Sequence, residues 1–156
     1  MKKLIFGLSL LTFLSVVFIS CEQEKTWREE NSDELARLYP NESSELAWVM
    51  REISAKTELV KSQVENGEEI ENIIDVFKQV HDAQATKPEV KTEAFANMSS
   101  SFVDSFDQLL QSQEGDRIKA YNIMIQNCVI CHTTYCPGPL VKIEKLKIDQ
   151  RIKKHI

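Results

Sequence analysis

A chain of 156 residues, 42% hydrophobic and 28% charged, has room for one small domain and excludes a multidomain enzyme. Its formal charge of -5 excludes the strongly basic surface expected of a nucleic-acid binder. With only 4 Gly and 4 Pro, few residues break regular structure, so long uninterrupted elements are expected.

At the N-terminus Lys2 and Lys3 precede an unbroken run of apolar and small residues that stops at Cys21. This predicts a signal peptide over 1–20 rather than a transmembrane helix, which would carry a longer apolar core and a charged far flank. The stretch Phe18-Ile19-Ser20-Cys21 resembles a bacterial lipobox, in which the signal is cut before the cysteine and that cysteine carries the lipids. The resemblance makes Cys21 the expected lipidation site and tethers the protein to the membrane in the periplasm or on the outer face of a bacterial membrane. Removing 1–20 takes two of the 19 basic residues and none of the 24 acidic ones, so the charge moves from -5 to -7. The remaining charge is uneven. Lys142, Lys145, Lys147, Arg151, Lys153 and Lys154 make 141–156 a basic C-terminal tail, read as a solvated terminal helix or a contact for an acidic partner or anionic lipid.

Residues 21–42 are polar and acidic without a sustained apolar period and read as a flexible membrane tether. The domain is expected over 43–140. Its first helix starts at a cap between Asn41 and Ser44, carries Leu46, Val49, Met50, Ile53, Thr57, Val60 and Val64 on one face, and stops at Gly67. A second follows in Ile70, Ile73, Ile74, Phe77 and Val80, ending before Lys87-Pro88. The third keeps its period through Phe95, Met98, Phe102, Phe106, Leu109 and Leu110, across a serine run expected on a closely packed or solvated side. Gly115-Asp116 separates it from a fourth bearing Ile118, Tyr121, Met124 or Ile125, Cys128 and His132. With no strand-like alternation, the expectation is an all-α fold, an antiparallel four-helix bundle.

The chemistry is concentrated in Cys128-Val129-Ile130-Cys131-His132, a C-x-x-C-H run on the last predicted helix of an exported chain. That pattern is the attachment signature of c-type haem: two thiols reach two vinyl groups on one porphyrin edge while the adjacent imidazole binds the iron. One covalent haem c, with its iron, is therefore the expected cofactor, held by Cys128 and Cys131 with His132 as axial ligand. Competing readings are a thioredoxin-like dithiol, which would follow a strand, and a structural zinc or disulfide site using Cys128, Cys131, His132 and Cys136. Cys136, in Tyr135-Cys136-Pro137-Gly138-Pro139, is left over by haem attachment and reads as a buried small residue or as a reactive or intermolecular thiol.

With the motif on the final helix of a bundle, the chain resembles the class II cytochromes c, the cytochrome c prime and cytochrome c556 type, over about residues 43–140. Thr133 and Thr134 stand where basic residues usually follow the haem histidine in that family. In the c556 type a methionine of the first helix is the sixth iron ligand, and Met50 matches it. In the prime type that position is open and binds gases. The residues themselves leave Met50, Met98, His81, His155 or no protein ligand as the alternatives. No paired carboxylates, Ser/His/Asp set or glycine-rich phosphate loop points to an enzyme. The expected role is single-electron transfer with an unidentified redox partner protein and no nucleic acid. A homodimer is left open.

Overall fold

The computed structural model describes residues 25–40 and 43–149. The signal region 1–20, the lipidation site Cys21, the cap candidate Asn41 and the ligand candidate His155 lie outside the described residues. The chain forms α1 (Trp27–Glu30), α2 (Ser32–Leu38), α3 (Glu45–Asn66), α4 (Ile74–Lys78), α5 (Glu93–Gln111), α6 (Arg117–Tyr135) and α7 (Leu140–Leu146). Single 3-10 turns lie at Pro88–Val90 and Glu114–Asp116.

Local chemistry sets the ends of the three long helices. Ser44 caps α3 by accepting a hydrogen bond from the Ala47 amide at 3.3 Å. Gly67 closes it at φ 70°, a left-handed conformation that glycine adopts without a Cβ clash. Thr92 caps α5 by accepting from the Phe95 amide at 3.2 Å, and its hydroxyl also meets the Tyr135 hydroxyl at 2.8 Å. Thr92→Ala should therefore cost about 1 kcal/mol for the lost cap, read as a lower urea midpoint at unchanged slope.

The expected four-helix bundle is corrected. The described residues carry seven α-helices and no strand, and the Cys128–His132 run lies on α6, the sixth of them rather than the last. The second predicted helix shrinks to the five residues of α4. The Asn72 side chain accepts from the Ile74 amide at 3.2 Å, a local bond that competes with helix on the N-terminal side. Beyond Lys78 the amides of Gln79, Val80, His81 and Asp82 bond three residues back, so the chain leaves the α-helix in tight turns. Ile73, Phe77 and Val80 are buried all the same.

Two segments expected to lie outside the fold are helical. The tether region carries α1, opened by a Thr26–Glu29 capping box, and α2, which buries Leu35. The start of the basic tail forms α7. It turns back at Pro139 and lies along α6, where Asn122 and Ile148 exchange two hydrogen bonds of 2.8 and 2.9 Å. It also meets α3, through Lys61 Nζ donating to the Lys145 carbonyl at 3.0 Å and a 3.1 Å Lys142–Glu58 ion pair. Ile143, Leu146 and Ile148 are buried by this docking.

The core runs between α3, α4, α5 and α6, centred on Phe77, Phe106, Leu109, Tyr121, Met124 and Ile125, all inaccessible to solvent. Phe77 lies between Phe102 at 4.8 Å and Phe106 at 4.6 Å between ring centroids. Helices α5 and α6 are antiparallel: Phe95 meets Tyr135 edge-on at 5.5 Å, while Asn127 donates to the Ser101 carbonyl at 3.0 Å. Arg117, opening α6, donates to the Glu68 carbonyl just beyond α3 at 3.0 Å, so α3 also runs antiparallel to α6. In the serine run only Ser99 is buried; its hydroxyl meets His81 Nδ1 at 3.1 Å and holds that half-buried imidazole against α5.

Candidate functional site

At about 100° per residue, Cys128, Cys131 and His132 fall within an arc of about 100° on α6, on the inward side that also holds Tyr121 and Ile125. The other side of this helix is mixed, with Lys119, Gln126 and Thr133 beside two isoleucines. Ile123 and Ile130 are 47% and 46% exposed there. Cys128 and Cys131 are half-buried, Cys136 is exposed, and all three carry free thiols. Burial, reinforced by the neighbouring Cys131, pushes the Cys128 thiol up to about 12. Burial also raises Cys131, with Cys136 acting on it in turn. These thiols are held as neutral S–H groups, unlike the low-pKa nucleophile of a dithiol oxidoreductase.

His132 is oriented by the helix end. Its Nδ1 lies 3.0 Å from the Cys136 carbonyl oxygen. A carbonyl can only accept, so Nδ1 is the donor of this bond, which leaves Nε2 as the ring nitrogen free to face a ligand. The Cys136 amide in turn donates to the His132 carbonyl at 3.0 Å, after which Pro137 ends the ladder. Cys136 thus serves His132 through its backbone, a role that a reading confined to its thiol does not reveal. It is not the buried small residue that was one expectation.

The closed zinc site is overturned: among the described residues no group of three or more His, Cys, Asp or Glu side chains could hold a metal ion. The expectation of a metal-binding cluster built from Cys128, Cys131, His132 and Cys136 goes with it. Nor is any helix of the described residues long and apolar enough to cross a membrane.

The remaining candidate ligands are distributed over the neighbouring helices. The antiparallel run of α3 places Met50, half-buried against the core, at the end of the fold where α6 carries its motif. The pairing of Phe95 with Tyr135 and of Ser101 with Asn127 puts Met98 of α5 level with Cys131. His81 is engaged with Ser99.

Tyr121 adds a feature that sequence reasoning registered only as a core position. Its hydroxyl is buried and has no hydrogen-bond partner among the described residues. Burial and then the nearby Cys128 push its pKa upward, so it stays a neutral donor. Its i, i+7 relation to Cys128 was the available signal. Comparison with protein-family models, with curated proteins and with solved structures finds no match.

The donor set fits a c-type haem on chemical grounds. Two free thiols and an imidazole whose Nδ1 is engaged by a carbonyl share one arc of one helix, facing an apolar interior with an unsatisfied hydroxyl in it.

Proposed function

We propose that this protein is a monohaem c-type cytochrome that carries single electrons on the extracytoplasmic side of a membrane, tethered there by lipidated Cys21 and served by a redox partner protein. The observation that carries the reading is the C-x-x-C-H run with both thiols free and His132 Nδ1 tied to the Cys136 carbonyl. When bound, haem c supplies the one-electron couple of its iron. Cys128 and Cys131 would hold it covalently, and His132 would offer Nε2 to its iron. The bond to Cys136 fixes the imidazole tautomer and raises its basicity, as outer partners of metal-bound histidines do. Met50 of α3 is the proposed second ligand, a thioether that favours the reduced state. The apolar side chains around the arc exclude water, and an electron carrier needs no substrate-turnover site beside them.

The full chain made with a working cytochrome c maturation system should gain the mass of one haem and show the visible spectrum of a thioether-linked haem. Cys128→Ala with Cys131→Ala should abolish both. A colourless wild-type product, or haem retained covalently by the double variant, would refute the assignment. In the reduced protein, carbon monoxide should bind only slowly, by displacing Met50; immediate binding would remove Met50 from the iron.

A further inference from the structure

A second site, lined by no residue of α6, lies where α1 docks on the first turns of α3. It is a cavity of about 320 Å³ walled by Trp27, Arg28, Glu45, Trp48, Val49 and Glu52. This volume is at the low end of the range for small-molecule pockets, about 300–1,000 Å³. Trp27 and Trp48 are the only tryptophans of the chain, and both face this one space.

The wall already accepts a cation. The Arg28 guanidinium rests 4.5 Å from the centre of the Trp48 ring. Arg51 also stacks on Trp48, at 4.5 Å, and on Tyr39, at 3.8 Å, which fixes the indole from outside the cavity wall. Of the two carboxylates, Glu45 accepts from the Gln84 amide at 2.9 Å. Glu52 has no hydrogen-bond or ion-pair partner among the described residues, although it is half-buried. Lys56, one turn further along α3, pairs with Glu71 at 3.8 Å and acts on Glu52 through its charge without bonding to it.

The geometry points to this cavity as a binding site for a small organic ammonium ion, with Trp27 and Trp48 as its aromatic walls and Glu52 as its counter-charge. An anion would meet two carboxylates and a single arginine. A bare divalent cation would find one uncommitted carboxylate and indole faces where it needs six or more oxygen ligands. An alkylammonium ion satisfies both walls, through cation–π attraction to the indoles and charge pairing with Glu52. Arg28, exposed and attached to the short α1, occupies part of the aromatic surface and competes with the ligand.

The test uses the full chain and the two indole N–H resonances, titrated with choline chloride against sodium chloride at equal ionic strength. Both resonances should shift and saturate with choline alone. Glu52→Gln should weaken binding at least tenfold with an unchanged thermal melt, and Arg28→Ala should tighten it. Phosphatidylcholine vesicles, run as a separate arm, distinguish the free ion from a lipid headgroup as the source of the ammonium group. Shifts from neither arm, equal shifts with sodium chloride, or full affinity in Glu52→Gln would overturn the site. Should Glu52→Gln fail to fold, weaker binding by Arg28→Ala would overturn it instead.

Discussion

Phe106→Ala should lower the free energy of unfolding by about 3–5 kcal/mol, the range for deleting a fully buried aromatic side chain. Phe106 has no solvent exposure and lies 4.6 Å from Phe77, which stacks in turn on Phe102 at 4.8 Å. The substitution removes transfer free energy, leaves a cavity between α4 and α5, and loses an aromatic pair contribution of about 0.5–1.5 kcal/mol. Against a total stability of about 5–15 kcal/mol for a domain of this size, the variant would be marginal at room temperature. Urea unfolding followed by far-UV circular dichroism should show a lower midpoint with a similar slope, and Phe106→Leu should lose much less. The consequence extends to the short α4, which is held by the burial of Phe77 rather than by its five residues of helix. A loss below about 1 kcal/mol in Phe106→Ala would mean that this aromatic group is not the centre of the core.

That dependence explains what could and could not be read from the sequence. The spacings of Val49, Ile53, Val60 and Val64 in α3 and of Phe95, Phe102, Phe106 and Leu109 in α5 identify faces that are buried. The same rule finds Ile73, Phe77 and Val80, and all three are buried, yet the helix joining them is mostly absent. Apolar period reports which side chains leave water. It does not report whether the backbone between them keeps i to i+4 bonding, and here Asn72 and the three-residue bonds after Lys78 decide against it. Ile143 and Leu146 of α7, with Ile148 just beyond it, carry the docking, but six basic residues in the tail drew the reading toward solvent. Lysines along such a helix keep their charges at the surface while the intervening apolar residues turn inward. Leu35 in α2 is one buried side chain among polar neighbours, too weak a signal to mark an element.

The candidate site divides in the same manner. Cys128, Cys131 and His132 are legible because the proposed haem attachment would demand adjacency along the chain. The Cys136 carbonyl on His132 depends on how α6 ends, and the unsatisfied Tyr121 hydroxyl depends on what α3 and α5 bury around it. The Arg28 stack on Trp48 joins α1 to α3, so no local pattern announces it, whereas the Arg51 stack is an i, i+3 pair within α3.

Alkaline pH should destabilise the haem-free chain, chiefly through Cys128. Its thiol moves from 9.0 to about 12 on folding, with burial as the main cause and Cys131 as the next. The sign follows from proton counts. Below pH 9 both folded and unfolded chains hold this proton, and the contribution to stability is fully present. As pH rises from 9 toward 12, the unfolded chain releases it while the folded chain retains it, so unfolding becomes progressively easier. At about 1.4 kcal/mol per unit, the loss across this window reaches at most about 4 kcal/mol. Tyr121, raised by burial, acts with the same sign and adds to it. Urea unfolding from about pH 7 to about pH 11 should show stability falling above pH 9, with a shallower fall in Cys128→Ala. An equal fall in that variant would mean that the thiol does not face the interior. A thioether sulfur carries no proton, so covalent attachment at Cys128 removes its part of the alkaline loss. If Cys128 carries haem as proposed, the pH slope of the chain made with a cytochrome c maturation system should approach that of the variant, which provides a measure of attachment at Cys128 that does not depend on colour.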